Sequence, residues 1–371
     1  MSEGWIVLVV ALTSFLMTAV LRRYALSRSI MDIPNARSSH SIPTPRGGGV
    51  AIVLAFLAVT PVLGWLDLVS AHTLIAMGGA GALVAVLGFM DDHGHIAARW
   101  RLTGHFASAI WALFWMDGLG PLTVFGWELH LGLIGNILAA VFLVWMLNLY
   151  NFMDGIDGIA SVEAICACLG GCLLFALSGH QDMIWLPLLL AAAVSAFLVW
   201  NFPPAKIFMG DAGSGFLGII LGCFAIQAGW VQSSFFWAWL ILLGVFVVDA
   251  TFTLVRRLLR GDKVYEAHRS HAYQFASRKF GRHLPVTLAV AAINIVWLLP
   301  IALGVVLYGW DGTWALVVAY LPLIFLAIKF HAGELERSDV IDGAARAAGQ
   351  NASKGSWMAL PRQSIRMLRG V

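Results

Sequence analysis

Four polar residues recur at every third position of the segment NLYNFMDGIDGIA, which separates two long apolar runs. They are two asparagines followed by two aspartates: Asn148, Asn151, Asp154 and Asp157. Residues three apart are neighbours on a helix surface, and Gly155 and Gly158 allow a sharp turn with close backbone approach to a ligand. Helix capping accounts for one aspartate and at most one asparagine, so the row indicates a binding or catalytic site.

A pair of adjacent carboxylates, Asp91 and Asp92, occurs in GFMDDHGH at the end of another apolar run. Two like charges at a membrane surface are costly unless a cation or a proton lies between them. In a loop exposed to water the same pair costs little. For this segment alone, a functional pair and a solvated loop are equally good interpretations.

The segment FMGDAGSGF places Asp211 where an apolar helix begins, between Gly210 and Ser214 and close to Lys206. An aspartate at a helix N-terminus can be only a cap. The neighbouring glycines and the lysine favour a different role, in which the carboxylate binds Mg²⁺ and backbone amides bind phosphate oxygens.

A basic segment, DIPNARSSHSIPTPRGGG, precedes the second apolar run and contains Arg37, His40 and Arg46. Its glycine triplet, residues 47–49, is expected to open a helix with exposed backbone N–H groups, which together with the arginines would form an anion site. Positive charge that accumulates in a cytoplasmic loop explains the arginines, but it does not explain His40 or the glycines.

The most basic segment is RRLLRGDKVYEAHRSHAYQ, which contributes His268, Arg269 and His271. Asp249 lies upstream within an apolar run, about two helical turns before Arg256. An ionisable side chain inside a span is a functional hypothesis by default, with a structural aspartate satisfied by a partner as the alternative. Carboxylates, Mg²⁺ and cationic side chains on one membrane face suit phosphoryl transfer.

The composition requires a membrane around these groups. Hydrophobic residues make up 60% of the chain, charged residues 12%, and the mean hydropathy is +0.83. Soluble domains average about 45–50% apolar and about 25% charged residues, so the sequence predicts an all-α integral membrane protein in a lipid bilayer. Windows of about 20 residues predict eleven transmembrane helices, at approximately 4–21, 48–66, 72–90, 102–117, 132–149, 159–178, 183–200, 213–230, 235–254, 285–307 and 313–329.

Lysine and arginine lie on one side of these predicted spans. If the N-terminus is outside, all 23 Lys and Arg residues fall in inside loops or in the C-terminal tail. The positive-inside rule therefore predicts a periplasmic N-terminus and a cytoplasmic C-terminus. The net charge is only +3, and nothing in the chain suggests nucleic-acid binding.

The chain is interpreted as one membrane domain, residues 1–330, followed by a cytoplasmic tail, residues 331–371. The tail ends in LPRQSIRMLRGV, where arginines at helical spacing predict either an interfacial helix on anionic lipid or a solvated tail. In an outside loop, LTVFGWELHL predicts a small hairpin that turns at residues 125–127.

The chain resembles the polyprenyl-phosphate N-acetylhexosamine-1-phosphate transferases. This family includes the initiators of enterobacterial common antigen and O-antigen and the phospho-N-acetylmuramoyl-pentapeptide translocase. The resemblance covers the first nine spans and the following loop. It rests on five features in order: PTPRGGG, the Asp91–Asp92 pair, NLYNFMDGIDG, FMGDAGS, and Asp249 with the histidine-containing loop.

The resemblance implies a function. The protein would transfer N-acetylhexosamine 1-phosphate from a UDP-sugar to undecaprenyl phosphate, with release of UMP. It would use Mg²⁺, with Mn²⁺ as an alternative ion, at the cytoplasmic face of the bacterial inner membrane, and a homodimer is a further expectation. A polytopic transporter of a lipid-linked or anionic substrate is the alternative, and it predicts polar groups near the membrane midplane rather than at one surface.

The resemblance also implies roles by matching position. Asp91 and Asp92 would lie beside the lipid phosphate, with Asp91 as a candidate base, and Asp211 would be the principal Mg²⁺ ligand, with Asp92 sharing the ion. The implied catalytic set is Asp91, Asp92, Asp154, Asp157 and His271. The implied substrate-binding set is Arg37, His40, Arg46, Asn148, Asn151, Lys206, Gly210, Ser214, Asp249, His268 and Arg269.

The final loop departs from many members of that family, which carry an aspartate before the arginine and a cluster of histidines. In EAHRSHAYQ, Arg269 and His271 match, whereas His268, Tyr273 and Gln274 replace the expected aspartate and two histidines. This pattern resembles the branch that initiates O-antigen or related surface glycans. It leaves the N-acetylhexosamine open, with 6-deoxy forms included.

Overall fold

The computed structural model describes residues 2–34, 42–94, 96–262 and 268–334. Arg37, His40 and the predicted interfacial helix near the C-terminus lie outside the described residues. The membrane-domain residues up to Gly333 form one compact unit.

Helices dominate the described residues. They are α1 Trp5–Ser27, α2 Val50–Trp65, α3 Ala71–His93, α4 Ala98–Trp115, α5 Gly132–Met153, α6 Ile159–Ser178, α7 Trp185–Asn201, α8 Asp211–Val231, α9 Ser233–Leu242, α10 Gly244–Arg260, α11 Ala272–Phe280, α12 Leu284–Ile293, α13 Leu299–Leu307 and α14 Gly312–Lys329. A π-helical turn, Asn294–Leu298, joins α12 to α13. Two short antiparallel hairpins complete the fold, formed by β1 Met31–Asp32 with β2 Thr44–Pro45 and by β3 Leu122–Val124 with β4 Trp127–Leu129.

Each predicted span overlaps a helix, and the protein is an all-α, multi-pass integral membrane protein. Among the described residues, eight helices are long and apolar enough to cross a membrane, and the α9–α10 pair makes a ninth if it counts as one span. The other two predicted spans correspond to α2, which has only 16 residues, and to α4, which carries Arg99 and Arg101 in its first turn.

The ninth predicted span, 235–254, is not one continuous helix. It consists of α9 and α10, which are bent by 72° relative to each other. Gly244 begins α10, and a Cβ there would lie 3.0 Å from the Tyr320 ring. A glycine at a sharp bend is a common cause of a kink, and here it admits the tyrosine of α14.

The most enclosed helix is α8, which is buried along almost its whole length. Small residues allow neighbouring backbones to approach it closely. A Cβ on Gly218 would lie 2.5 Å from Leu147 Cα of α5, and one on Gly88 of α3 would lie 2.5 Å from the Ala212 nitrogen. This packing brings the first turn of α8 against the last turns of α3 and α5.

The predicted hairpin at residues 122–129 is confirmed. Val124 pairs with Trp127, and the two turn residues, Phe125 and Gly126, have φ values of 48° and 81°. Positive φ at both central residues is the geometry of a type I′ turn, which matches the twist of the flanking strands.

A buried acid–amide pair joins α6 to the π-helical turn. Glu163 and Asn294 are 0% and 2% exposed, and Asn294 Nδ2 donates to Glu163 Oε2 at 2.5 Å. This bond links α6, which begins directly after the NLYNFMDGIDG segment, to the junction between α12 and α13.

Candidate active site

An aspartate from another helix caps the N-terminus of α8. Asp92, near the end of α3, accepts from the main-chain nitrogens of Asp211 at 3.2 Å and Ala212 at 3.4 Å. The preceding Gly210 has a φ of +79°, and a Cβ there would lie 2.8 Å from Asp92 Oδ2. A glycine is therefore required where the chain enters α8, and the cap satisfies two of the donors that a helix start leaves unpaired.

Arg46 connects the two carboxylates at this helix end. Its guanidinium pairs with Asp92, and its Nη2 lies 3.1 Å from Asp211 Oδ1. Burial alone lowers the pKa of Arg46, but the carboxylates of Asp92 and Asp211 outweigh burial and raise that pKa above its ordinary value. Arg46 is therefore a permanent positive charge between two aspartates.

Two of the three glycines beside Arg46, Gly48 and Gly49, do not present free N–H groups. Gly48 N donates to Phe208 O at 2.9 Å, and Gly49 N donates to Met209 O at 2.8 Å. The expected anion site on these amides is wrong, because the segment that leads into α8 lies alongside and takes their hydrogen bonds. The glycines serve close packing, since a Cβ on Gly49 would lie 2.5 Å from Gly213 Cα.

The end of α5 reaches the same place. Asn151 Nδ2 donates to Ser214 Oγ of α8 at 3.1 Å, whereas Asn148 Nδ2 bonds to Val144 O of its own helix at 2.7 Å. Asp154 directly follows α5, and no hydrogen bond between described residues reaches its carboxylate. Burial, followed by the nearby carboxylate of Asp211, raises the pKa of Asp154 well above its usual range, and Arg46 opposes this shift.

Asp157 has a different environment. Its Oδ2 accepts from Ala205 N at 3.1 Å and lies 3.2 Å from His283 Nδ1. Thr287 Oγ1 donates to the Asp157 carbonyl at 2.9 Å. Asp157 therefore ties the turn before α6 to the start of α12, while Asp154 is the aspartate of this pair that lies near Asp211.

Asp91 lies in a groove next to this centre. It forms an ion pair with Arg101 of α4 and accepts from Ile96 N at 3.0 Å. Polar and apolar residues of α3, α4, α5 and α8 line the groove, and they include Val84, Leu87, Asp91, Arg101, His105, Leu147, Asn148, Asn151 and Asp211.

Sequence reasoning missed two of the residues in this groove, Arg101 and His105. Both lie on α4, four residues apart, and therefore on one face of the helix. The signal was present in RWRLTGH, where a cation and a histidine one turn apart enter an apolar run. It was hidden because Arg101 was counted only as a loop charge.

A second aspartate, Asp249, caps α11. Its carboxylate accepts from Ala272 N at 2.9 Å and Tyr273 N at 3.0 Å, and it lies 3.3 Å from His271 Nδ1. The His271 ring stacks on the His268 ring, with centroids 4.9 Å apart. Burial, followed by the neighbouring His271, lowers the pKa of His268 to about 3.

Two other predicted ligand residues also make contacts outside these groups. Lys206 is exposed, with its Nζ 5.8 Å from the centroid of the Trp200 ring. The Arg269 carbonyl accepts from Arg278 Nη2 at 3.3 Å. The structure thus brings together Arg46, Asp92, Asp154, Asp211, Asn151 and Ser214, and it places Asp249, His268 and His271 in a second, neighbouring group.

The α8 end offers oxygen ligands of the kind that Mg²⁺ takes. In the described part of the chain, no three His, Cys, Asp or Glu side chains form a cluster that could hold a metal. Mg²⁺ usually takes one or two carboxylates and completes its shell with water and substrate phosphates. The Asp211 side chain is 29% exposed, whereas that of Asp92 is 4% exposed and is engaged by Arg46 and α8. Asp211 therefore fits a Mg²⁺ ligand, with Asp92 supporting it.

A multi-pass membrane protein whose arginines, histidines and carboxylates gather at adjoining helix ends has the features of a membrane-bound phosphotransferase. Comparison with known proteins makes the assignment specific. Residues 74–229, which run from the first turn of α3 to the last turn of α8 and include most of the aspartates described above, match glycosyl transferase family 4. The chain belongs to this family, and the predicted family resemblance is confirmed.

Three relatives show the range of the similarity. A probable undecaprenyl-phosphate N-acetylglucosaminyl 1-phosphate transferase of Bacillus subtilis is 28% identical over 324 residues, which cover 85% of this chain and 88% of that protein. A phospho-N-acetylmuramoyl-pentapeptide-transferase of Moorella thermoacetica is 32% identical over 225 residues, 56% of this chain and 69% of that protein. A decaprenyl-phosphate N-acetylglucosaminephosphotransferase of Mycolicibacterium smegmatis is 27% identical over 305 residues, 71% of this chain and 73% of that protein.

Proposed function

We propose that this protein transfers N-acetylhexosamine 1-phosphate from a UDP-sugar to undecaprenyl phosphate and releases UMP. Family membership and the names of the relatives support a phosphoglycosyl transferase. The observation that carries the proposal is the meeting of Arg46, Asp92 and Asp211 at the N-terminus of α8, with Asp154 nearby. A helix N-terminus with an arginine favours phosphate groups.

The reaction exchanges one phosphorus–oxygen bond for another. A phosphate oxygen of the lipid attacks the sugar-bearing phosphorus of the UDP-sugar. The bond from that phosphorus to the bridging oxygen breaks, and the bridging oxygen leaves with UMP. The C1–O bond of the sugar is never cut, so the anomeric configuration is retained.

The side chains around α8 have distinct tasks in this reaction. A phosphate monoester has its second pKa near 6, so the lipid phosphate is largely dianionic at neutral pH. Asp91 would have to give up its pairing with Arg101 to act as a base, so we assign it to orienting the acceptor. Arg46 neutralises negative charge on the diphosphate, and the carboxylates of Asp154 and Asp211 would act on the diphosphate through a bound cation.

Mg²⁺ is the proposed cofactor, with Mn²⁺ as an alternative, and Asp211 would hold it. When bound, such an ion neutralises the charge that develops on the diphosphate oxygens. Asp92 fixes the position of Arg46 relative to the first turn of α8, because it contacts Asp211 N, Ala212 N and the Arg46 guanidinium.

The proposed topology has eleven spans, a periplasmic N-terminus and a cytoplasmic active site in the bacterial inner membrane. Two observations support it. The starts of α2 and α8 meet the ends of α3 and α5, so the site lies at one end of the helix bundle. Those helix ends carry the loops in which the positive-inside rule places lysine and arginine on the cytoplasmic side. Initiation of O-antigen or a related envelope glycan is the proposed pathway position.

The test measures UMP release by the purified protein in vesicles that contain undecaprenyl phosphate, with a panel of UDP-N-acetylhexosamines that includes 6-deoxy forms. We expect Mg²⁺-dependent release with one preferred sugar, and a loss of roughly 100-fold or more in Asp211→Asn. Asp67→Asn is the matched control. Asp67 is exposed in a loop at the opposite ends of the helices, and its φ of 52° is one that asparagine adopts readily.

Two outcomes would contradict the proposal. Full activity of Asp211→Asn would show that Asp211 does not hold the ion. An enzyme-bound phosphosugar formed from the UDP-sugar without lipid would replace the direct attack with a two-step path.

A further inference from the structure

Tyr273 lies at the boundary between the two groups of polar residues. It is the second residue of α11 and is 4% exposed. Its main-chain nitrogen donates to Asp249 Oδ2 at 3.0 Å. Its ring stacks on the His271 ring at a centroid distance of 5.7 Å and an interplanar angle of 23°, so its position is defined on both sides.

The hydroxyl of Tyr273 crosses to the end of α5. Tyr273 Oη donates to Phe152 O at 2.9 Å. The last four carbonyls of a helix have no partner within the helix, and Phe152 O is one of them, because α5 ends at Met153. The hydroxyl thus satisfies a carbonyl two residues before Asp154.

The hydroxyl also fills the space over Gly155. A Cβ on Gly155 would lie 2.1 Å from Tyr273 Oη and 3.1 Å from Tyr273 Cζ. The sequence-based expectation that Gly155 gives close approach to a ligand is therefore wrong, since the approach is to this tyrosine. Gln274 supports the same contact, because its Nε2 lies 3.3 Å from the same Cβ position and its Oε1 accepts from His271 N at 3.2 Å.

We propose that Tyr273 is a positioning residue, which sets the place of the Asp154 carboxylate through its hydrogen bond to Phe152 O. This inference rests on the proposed function, because Asp154 acts there beside Asp211. Without the hydroxyl, Phe152 O loses its donor and Gly155 gains free space, so the turn from Phe152 to Asp154 can shift. A small displacement of a reacting or binding group is enough to slow an enzyme considerably.

The central experiment compares Tyr273→Phe with Tyr320→Phe. Tyr320 is the matched control, because its hydroxyl also donates to a main-chain carbonyl, that of Leu240, at 2.8 Å, and it touches none of the groups of the site. Each variant loses one hydroxyl and one bond of the same kind. We expect Tyr273→Phe to lower kcat by roughly tenfold with KM for the UDP-sugar within about twofold. Tyr320→Phe should keep both constants within about twofold.

A second substitution tests the contact itself. Gly155→Ala should lower kcat strongly in the wild-type background, where the new Cβ meets the hydroxyl oxygen. In the Tyr273→Phe background the nearest remaining ring atom is the one at 3.1 Å, so the further loss from Gly155→Ala should be at least several-fold smaller. Equal losses in the two backgrounds would overturn the inference.

Hydrogen exchange gives a readout that does not depend on turnover. Amides of residues 152–158 should exchange faster in Tyr273→Phe than in Tyr320→Phe. Unchanged exchange, or a kcat for Tyr273→Phe within twofold of Tyr320→Phe, would refute the positioning role. If the wild-type protein releases no UMP but the two variants still differ in exchange, the proposed reaction is refuted. The role of Tyr273 in fixing the turn is then retained.

Discussion

Two helix N-termini in the described part of the chain are capped by an aspartate that belongs to another helix. Asp92 of α3 accepts from the first two N–H groups of α8, and Asp249 of α10 accepts from the first two of α11. The local arrangement is the same at both ends. What surrounds the capping carboxylate is different.

At α8 the cap adjoins a second carboxylate, Asp211, and the guanidinium of Arg46. At α11 the cap adjoins the imidazole of His271 within a stack of aromatic rings, and Asp249 is 7% exposed. The same capping arrangement therefore supports two different surroundings. At α8 it supports a charged, partly exposed centre, and at α11 it supports a largely buried stack of the His268, His271 and Tyr273 rings. Substitutions that change charge should act most strongly at α8, and those that change shape should act at α11.

The largest effect is expected for Arg46→Ala. This change leaves Asp92 and Asp211 adjacent with no cation between them, so UMP release should fall by roughly 10²–10³-fold in kcat/KM. Arg23→Ala, at an exposed position near the end of α1, is the control and should stay within about twofold. A kcat/KM for Arg46→Ala within threefold of the wild-type value would show that the charged groups at α8 do not set it apart from the capped end of α11.

The next effect separates Asp154 from Asp157. Asp154→Asn should lower kcat by about 100-fold, because its carboxylate lies close enough to Asp211 and Arg46 to interact with both charges. Asp157→Asn should lower it by less than about tenfold and should instead destabilise the fold by about 1–3 kcal/mol, because the charge of the carboxylate that accepts from Ala205 N and lies beside His283 is lost. Kinetics and thermal unfolding of the two variants, measured side by side, check this order, and a reversed order would place Asp157 in the site.

A smaller effect is expected for Asp249→Asn. Asparagine keeps one acceptor oxygen, but its NH₂ group cannot accept the second main-chain N–H of α11. Stability should fall by about 1–3 kcal/mol and kcat by roughly tenfold. Asp92→Asn has the same loss and also leaves Arg46 with one carboxylate, so it should be the more damaging of the two in UMP release. Equal kinetic losses would show that capping alone matters at both ends.

The smallest effect is expected for Lys206→Ala. Its ammonium lies over the Trp200 ring at an exposed position, an interaction that contributes about 0.5–1 kcal/mol. KM for the UDP-sugar should change by less than about twofold. A tenfold rise in that KM would show that Lys206 contributes to binding the diphosphate, as its sequence position predicted.

Periodicity and composition predicted much of the fold. Hydropathy identified each of the eight described helices that are long and apolar enough to cross a membrane, because a spanning helix must be long and apolar whatever it packs against. The turn at Phe125 and Gly126 was also predictable, since hairpin turns depend on local residues. The break between α9 and α10 was not predicted, and the ring that packs against Gly244 at this break belongs to Tyr320, a residue far along the chain.

The site was predictable in its residue types and less so in its contacts. Asp92, Asp211 and Asn151 do converge, as their spacing at helix ends indicated. The groups that contact Gly48, Gly49 and Gly155 come from distant segments of the chain. The residues next to those glycines therefore do not predict the contacts. Arg101 and His105 were missed for a different reason: the predicted span starts at residue 102, so Arg101 counted as a loop charge and His105 as part of an apolar helix.

The α8 centre packs largely on main-chain atoms, because glycines allow backbones to contact each other directly. These glycines are Gly49, Gly88, Gly210 and Gly213. A glycine has no side-chain rotamers to freeze, so these contacts form without loss of side-chain conformational entropy. They also cannot relax by a rotamer change when a ligand enters or leaves. The spacing between the backbones that carry the capping aspartate, the arginine and the first turn of α8 should therefore stay constant through a catalytic cycle.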